Sequence, residues 1–69
     1  MSKAKMVSKH TRGSIENVME LRSGEQGTGR VVQRVRYWPT SPTSISAARD
    51  ILIAAAEREG LTVVYDNED

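Results

Sequence analysis

Read at the helical period, residues 45–56 carry an apolar stripe of Ile45, Ala48, Ile51, Leu52 and Ala55, widened on both sides by Ala47, Ala54 and Ala56. Ser46, Arg49, Asp50 and Glu57 supply a narrow polar sector, and Ile53 sits inside it. The stretch predicts one helix, with Ser44 or Thr43 as N-cap and Gly60 as the C′ residue. The apolar face is wider than one small sheet covers. Alanine is the best helix former, so propensity alone accounts for part of that width. The remainder points to a second burial surface, with Ala47, Ile51, Ile53 and Ala54 as candidates for the interface of a homodimer.

Residues 30–38, RVVQRVRYW, give the clearest strand, rich in β-branched and aromatic side chains. Val31, Gln33, Val35 and Tyr37 fall on one face and Arg30, Val32, Arg34, Arg36 and Trp38 on the other. Residues 14–22, SIENVMELR, fit two templates. As a helix they have Ser14 as N-cap and Gly24 past the end. As a strand they pair with 30–38 in a hairpin that sets Glu20 opposite Val32, Val18 opposite Arg34 and Glu16 opposite Arg36. The glycine-rich segment 23–29 forms the connecting loop and 39–44, PTSPTS, a rigid turn. Residues 61–65, LTVVY, form a short closing strand.

These elements predict an α+β fold, β-β-α-β, with one helix packed on a short antiparallel sheet; the alternative is α-β-α-β if 14–22 is helical. Residues 14–66 make the single domain. Residues 1–13 show no sustained periodicity and are expected to be a flexible basic tail, and 67–69 an acidic end.

Composition narrows the picture. A chain of 69 residues is short enough that its core needs help from disulfides, a metal, tight packing or oligomerisation. Cysteine is absent and His10 is the single histidine, so disulfides and the usual zinc sites are excluded, and no metal or cofactor is expected. The first dozen residues lack the apolar core of a signal peptide, and no run approaches the length of a membrane span. A cytoplasmic location is expected. The net charge of +1 hides a polarity: Lys3, Lys5, Lys9 and Arg12 stand near the start without an acid, while Glu57, Glu59, Asp66, Glu68 and Asp69 follow the helix core with only Arg58 against them.

No arrangement points to catalysis. Gly24 to Gly29 has the glycine spacing of a phosphate-binding loop, but lacks its Lys-Ser/Thr pair and leads into a strand. His10 has no partners to fix it against a serine. Asp66, Glu68 and Asp69 lack the spacing of a calcium loop. The chain reads as a non-enzyme.

The arginine strand is the sharper feature. Arg30, Arg34, Arg36, Tyr37 and Trp38 are residue types that anchor protein interfaces, which makes a protein partner the first expectation. The same arginines with Lys3, Lys5, Lys9 and Arg12 also suit nucleic-acid phosphates, so a nucleic-acid-binding transcriptional regulator is the alternative. A ribbon-helix-helix repressor is not expected, since LTVVYDNED cannot supply a second helix of useful length. The pattern of basic strand, Pro/Ser/Thr turn, single helix and closing strand looks like that of the compact proteins phages use to inhibit host machinery. The first expectation is thus a homodimeric binding protein that regulates or inhibits a partner protein.

Overall fold

In the structure, a computed structural model that describes residues 2–65, β1 (Ser2–His10), β2 (Asn17–Ser23) and β3 (Val31–Tyr37) run in series. They are followed by α1 (Pro42–Glu59) and β4 (Leu61–Val64). The four strands form one sheet in the order β3-β2-β1-β4. β1 and β3 pair antiparallel with β2, and β4 pairs parallel with β1. β3 and β4 are therefore parallel strands at opposite edges. A parallel connection needs a crossover, and α1 supplies it by passing across one face of the sheet.

This confirms a small α+β fold with one helix on a sheet and corrects its composition. The expected tail contains β1, an interior strand of a mixed sheet. Its signal is a faint period of two: Ala4 and Met6 turn toward the core while Lys3, Lys5, Val7 and Lys9 share the other face. Ala4 is small and the alternate positions are mostly lysine, so the inward face carries little hydrophobicity to detect. Asp66 and the acidic end 67–69 lie outside the described residues.

Residues 17–23 are strand, which resolves the ambiguity in favour of the hairpin. Its register is displaced by two residues from the expected one: Val18 pairs with Arg36, Glu20 with Arg34 and Leu21 with Gln33. A bulge lies between the Leu21 and Arg22 pairings, so that Arg22 stands opposite Val31. Beyond it the loop closes through Ser23 N–H to the Arg30 carbonyl (3.0 Å) and Gly29 N–H to the Ser23 carbonyl (2.9 Å). The bulge absorbs one residue of β3 and leaves Arg30 outside the strand.

Helix α1 starts a turn earlier than expected. Ser41 is the N-cap, its hydroxyl accepting from the Ser44 N–H at 3.2 Å, and Pro42 opens the first turn. Proline fits there because its missing N–H would have no intrahelical partner. Ser44, expected as the cap, instead accepts the Trp38 N–H at 2.9 Å and ties the end of β3 to the helix. Gly60 ends the helix in the left-handed region at φ 69°, the conformation a C′ glycine adopts without strain.

The core is thin. Ala4, Met19, Leu21 and Tyr37 of the sheet are buried beneath Ala48, Leu52, Ala55 and Ala56 of the helix. Met6, Val32, Val35, Ile45, Leu61 and Val63 fill its margins. Three buried alanines let the helix backbone sit close to the sheet, so they contribute to packing as well as to propensity. Ile51, placed by periodicity in the main stripe, faces away and is 47% exposed, while Ala56 is buried in its stead. Among the described residues no helix is long and apolar enough to cross a membrane.

Candidate binding face on the open side of the sheet

With α1 on one side, the opposite face of the sheet carries no helix or further strand among the described residues and is covered only at one end, by the loop between β2 and β3. Strand alternation and register decide what stands on it. Across β1, β2 and β3 one row reads Lys9, Val18, Arg36, the next Val7, Glu20, Arg34, and the next Lys5, Arg22, Val31. Side chains directly opposite one another in a ladder share a face. Lys3 continues the β1 column beside Thr62 of β4. Six cations of three neighbouring strands thus occupy one surface.

Glu20 sits at its centre and is 2% exposed. Its Oε1 accepts from Arg22 Nε at 2.9 Å and its Oε2 from Arg34 Nε at 2.8 Å. Lys9 Nζ lies 3.5 Å from Oε1. A carboxylate withdrawn from water is stable only when paired, and here three cations surround one anion. The Arg22 hydrogen bond, ahead of those from Arg34 and the charge of Lys9, holds the Glu20 carboxyl below its ordinary value, against the opposing effect of burial. Arg22 also donates from Nη1 to the Gly29 carbonyl at 3.2 Å. It is therefore tied into the loop, whereas the side chain of Arg34 is 60% exposed.

The loop between β2 and β3 folds over one end of this face. Gly27 lies against Val7 and Lys5, at φ 71°, and Gly24 N–H donates to the Lys3 carbonyl at 2.7 Å. Glu25 reaches Lys3 at 3.5 Å. At the other end Glu16, Val18 and Arg36 line a shallow depression with Thr11 and Ser14. Six cations therefore share the face and its rim with three carboxylates. The acids Asp50, Glu57 and Glu59 stand on the helix, away from it. Arg49 and Arg58 share the helix with those acids, so the surplus of cations lies on the face, and the charge of +1 for the whole chain understates it.

The residues singled out in the sequence are sorted as follows. Lys3, Lys5 and Lys9 join Arg34 and Arg36 on one surface. Arg12 lies exposed in the turn after β1. Arg30 is not part of the arginine column: it stands outside β3, 4.0 Å from Glu59 of the helix. Tyr37 is buried in the core beneath the helix, because its position alternates with Arg36. Trp38 lies past the strand end and is 53% exposed. Ala47, Ile51 and Ala54 are exposed along one side of α1, and Ile53 is half-buried. His10 closes the end of the β1–β2 hairpin, with Nδ1 3.0 Å from Asn17 Oδ1. Arg22, which sequence reasoning did not single out, belongs to the face. Its even spacing from Glu20 and Val18 on a strand is the signal that would have found it.

Comparison with protein-family models, with curated proteins and with solved structures finds no match for the chain.

Proposed function

We propose that this protein is a non-enzymatic binding module that lays the open, basic face of its sheet on the phosphate backbone of duplex nucleic acid. The observation that carries the reading is the placement of Lys3, Lys5 and Lys9 of β1 and of Arg34 and Arg36 of β3, with β2 between them, on the face of the sheet away from the helix. The low net charge of the whole chain weighs less against a nucleic-acid binder than the local charge weighs for one, because the six cations of the face outnumber the three carboxylates on it and its rim. Duplex is favoured over single strands because sequence-tolerant single-strand binders stack bases on aromatic side chains. Of the aromatic residues here, Tyr37 is beneath the helix, and Trp38 and Tyr65 follow the C-terminal ends of β3 and β4, at opposite edges of the sheet and apart from one another. Phosphate contacts of this kind carry position and affinity, with little sequence information. A cytoplasmic setting belongs to the same proposal.

The test is fluorescence anisotropy with a labelled duplex and a single strand of equal length at low salt. Tighter binding to the duplex is expected. Tighter binding to the single strand, with loss on Trp38→Ala, would overturn the choice of ligand.

A second reading, a homodimeric regulator or phage-type inhibitor of a partner protein, draws on the exposed Trp38 beside Arg36 and on the exposed Ala47, Ile51 and Ala54 of the helix. Aromatic and arginine side chains are enriched at the centres of protein interfaces. Light scattering at micromolar concentration tests the dimer: a folded monomer removes it. Retention of partner capture by an Arg34/Arg36/Trp38 triple alanine variant removes the strand as the contact.

A further inference from the structure

We propose that Glu20 is a positioning residue of the basic face, aiming Arg34 at phosphate while Arg22 acts as a buttress. The inference rests on the nucleic-acid reading above. Two guanidinium groups share one carboxylate, yet they are committed to different degrees. Arg22 gives Nε to Glu20 and Nη1 to the Gly29 carbonyl, so two edges of its fork are already spoken for. The Arg34 guanidinium gives only Nε to Glu20 and makes no other hydrogen bond or ion pair within the described residues. Its two Nη nitrogens remain on an exposed side chain whose plane is set by a 2.8 Å bond. A planar fork held at one edge presents the other edge in a fixed direction, the geometry that bidentate phosphate recognition requires. Lys9, 3.5 Å from the same carboxylate, is held less directionally, as a compact charge.

The carboxylate has two opposed effects on an approaching phosphate. Its negative charge repels, and its hold on Arg34 removes freedom that binding would otherwise have to remove. Three cations surround Glu20, so little of its charge is left to repel, whereas Arg34 without its anchor is a long exposed side chain with many rotamers. Orientation should therefore outweigh repulsion. The consequence has a sign: removing a negative charge from a basic face weakens its affinity for a polyanion.

The experiment compares the full chain with Glu20→Gln, Arg34→Lys and Arg22→Lys, using anisotropy on one duplex across a salt series, with thermal melting of each variant. Expected are binding about fivefold or more weaker for Glu20→Gln and for Arg34→Lys, which keeps the charge and loses the fork. Arg22→Lys, which loosens the buttress behind Glu20, is expected to weaken binding less than Arg34→Lys does and to lower the melting temperature. A folded Glu20→Gln variant that binds as tightly as the parent, or tighter, overturns the inference while leaving the binding face intact. If Glu20→Gln is unfolded at the assay temperature, Arg34→Lys decides: undiminished affinity overturns the inference. Absence of duplex binding by the parent chain removes both this inference and the reading it rests on.

Discussion

Glu20 and Arg34 stand directly opposite each other across β2 and β3, on the side of the sheet that the helix does not cover, with Oε2 and Nε 2.8 Å apart. The carboxylate is nonetheless buried, because Arg22, Arg34 and Lys9 gather over it. Its pKa is lowered in the folded protein, chiefly by the Arg22 hydrogen bond. A group whose folded pKa lies below its unfolded value gives stability that is present above the unfolded value and is lost as pH falls through the folded one. The melting temperature should therefore fall as pH drops below the ordinary value of 4.5. Glu20→Gln should melt lower than the parent at neutral pH, and the gap should narrow in acid. A gap that is the same at both ends of the pH series contradicts the assignment.

Leu52 and Ile51 are neighbours in sequence with opposite fates. Leu52 is fully buried at the centre of the helix contact, and Ile51 is 47% exposed. Leu52→Ala should destabilise by about 2–5 kcal/mol, a loss of roughly 10 °C or more in melting temperature for a domain of this size. Ile51→Ala should stay within about 0.5 kcal/mol if the protein is a monomer. A concentration-dependent melting temperature that Ile51→Ala abolishes would instead support the helix as a dimer face.

The contrast between these two residues shows what was legible in the sequence. The helix and the arginine strand were visible because each has a strong period and clear punctuation. The inward stripe was placed with an error of part of a turn, since alanines on both flanks of Leu52 make its centre ambiguous. β1 was hidden because Ala4 and Met6 are its only clear inward hydrophobic residues, and lysines alternate with them. A strand with that pattern reads as a charged tail until its two neighbours are in place. The basic face was half legible. Its lysines and arginines were both noticed, but their union depends on β1 pairing with β2, a contact between segments that no local pattern announces. Arg30 and Tyr37 were misassigned for local reasons: the bulge ends the strand before Arg30, and alternation turns Tyr37 inward.

Gly27 tests the loop that folds over the face. Its φ of 71° suits glycine, and a Cβ there would meet Val7 Cγ2 at 3.0 Å and Lys5 Cβ at 3.2 Å. Gly27→Ala should cost about 1–2 kcal/mol from the backbone conformation alone, with the contact on β1 adding to it. Urea denaturation measures the loss. An unchanged midpoint would mean that the loop does not seat on Val7 and Lys5.

Capping offers a local check on the helix start. Ser41→Ala removes the acceptor for the Ser44 N–H and should destabilise by about 1 kcal/mol. Thr43→Ala, at an exposed position inside the first turn, should have little effect. Thermal melts of the two variants distinguish Ser41 from Thr43 as the cap.

The most direct test of the binding face is the salt dependence of its affinity for duplex nucleic acid. If Lys3, Lys5, Lys9, Arg34 and Arg36 each neutralise a phosphate, the logarithm of the binding constant should fall against the logarithm of salt with a slope of about −4 to −5. Arg36→Ala should reduce that slope by about one and weaken binding to all sequences alike. Duplex binding that is absent at low salt, or whose slope is unmoved by Arg36→Ala, would contradict the assignment of this face.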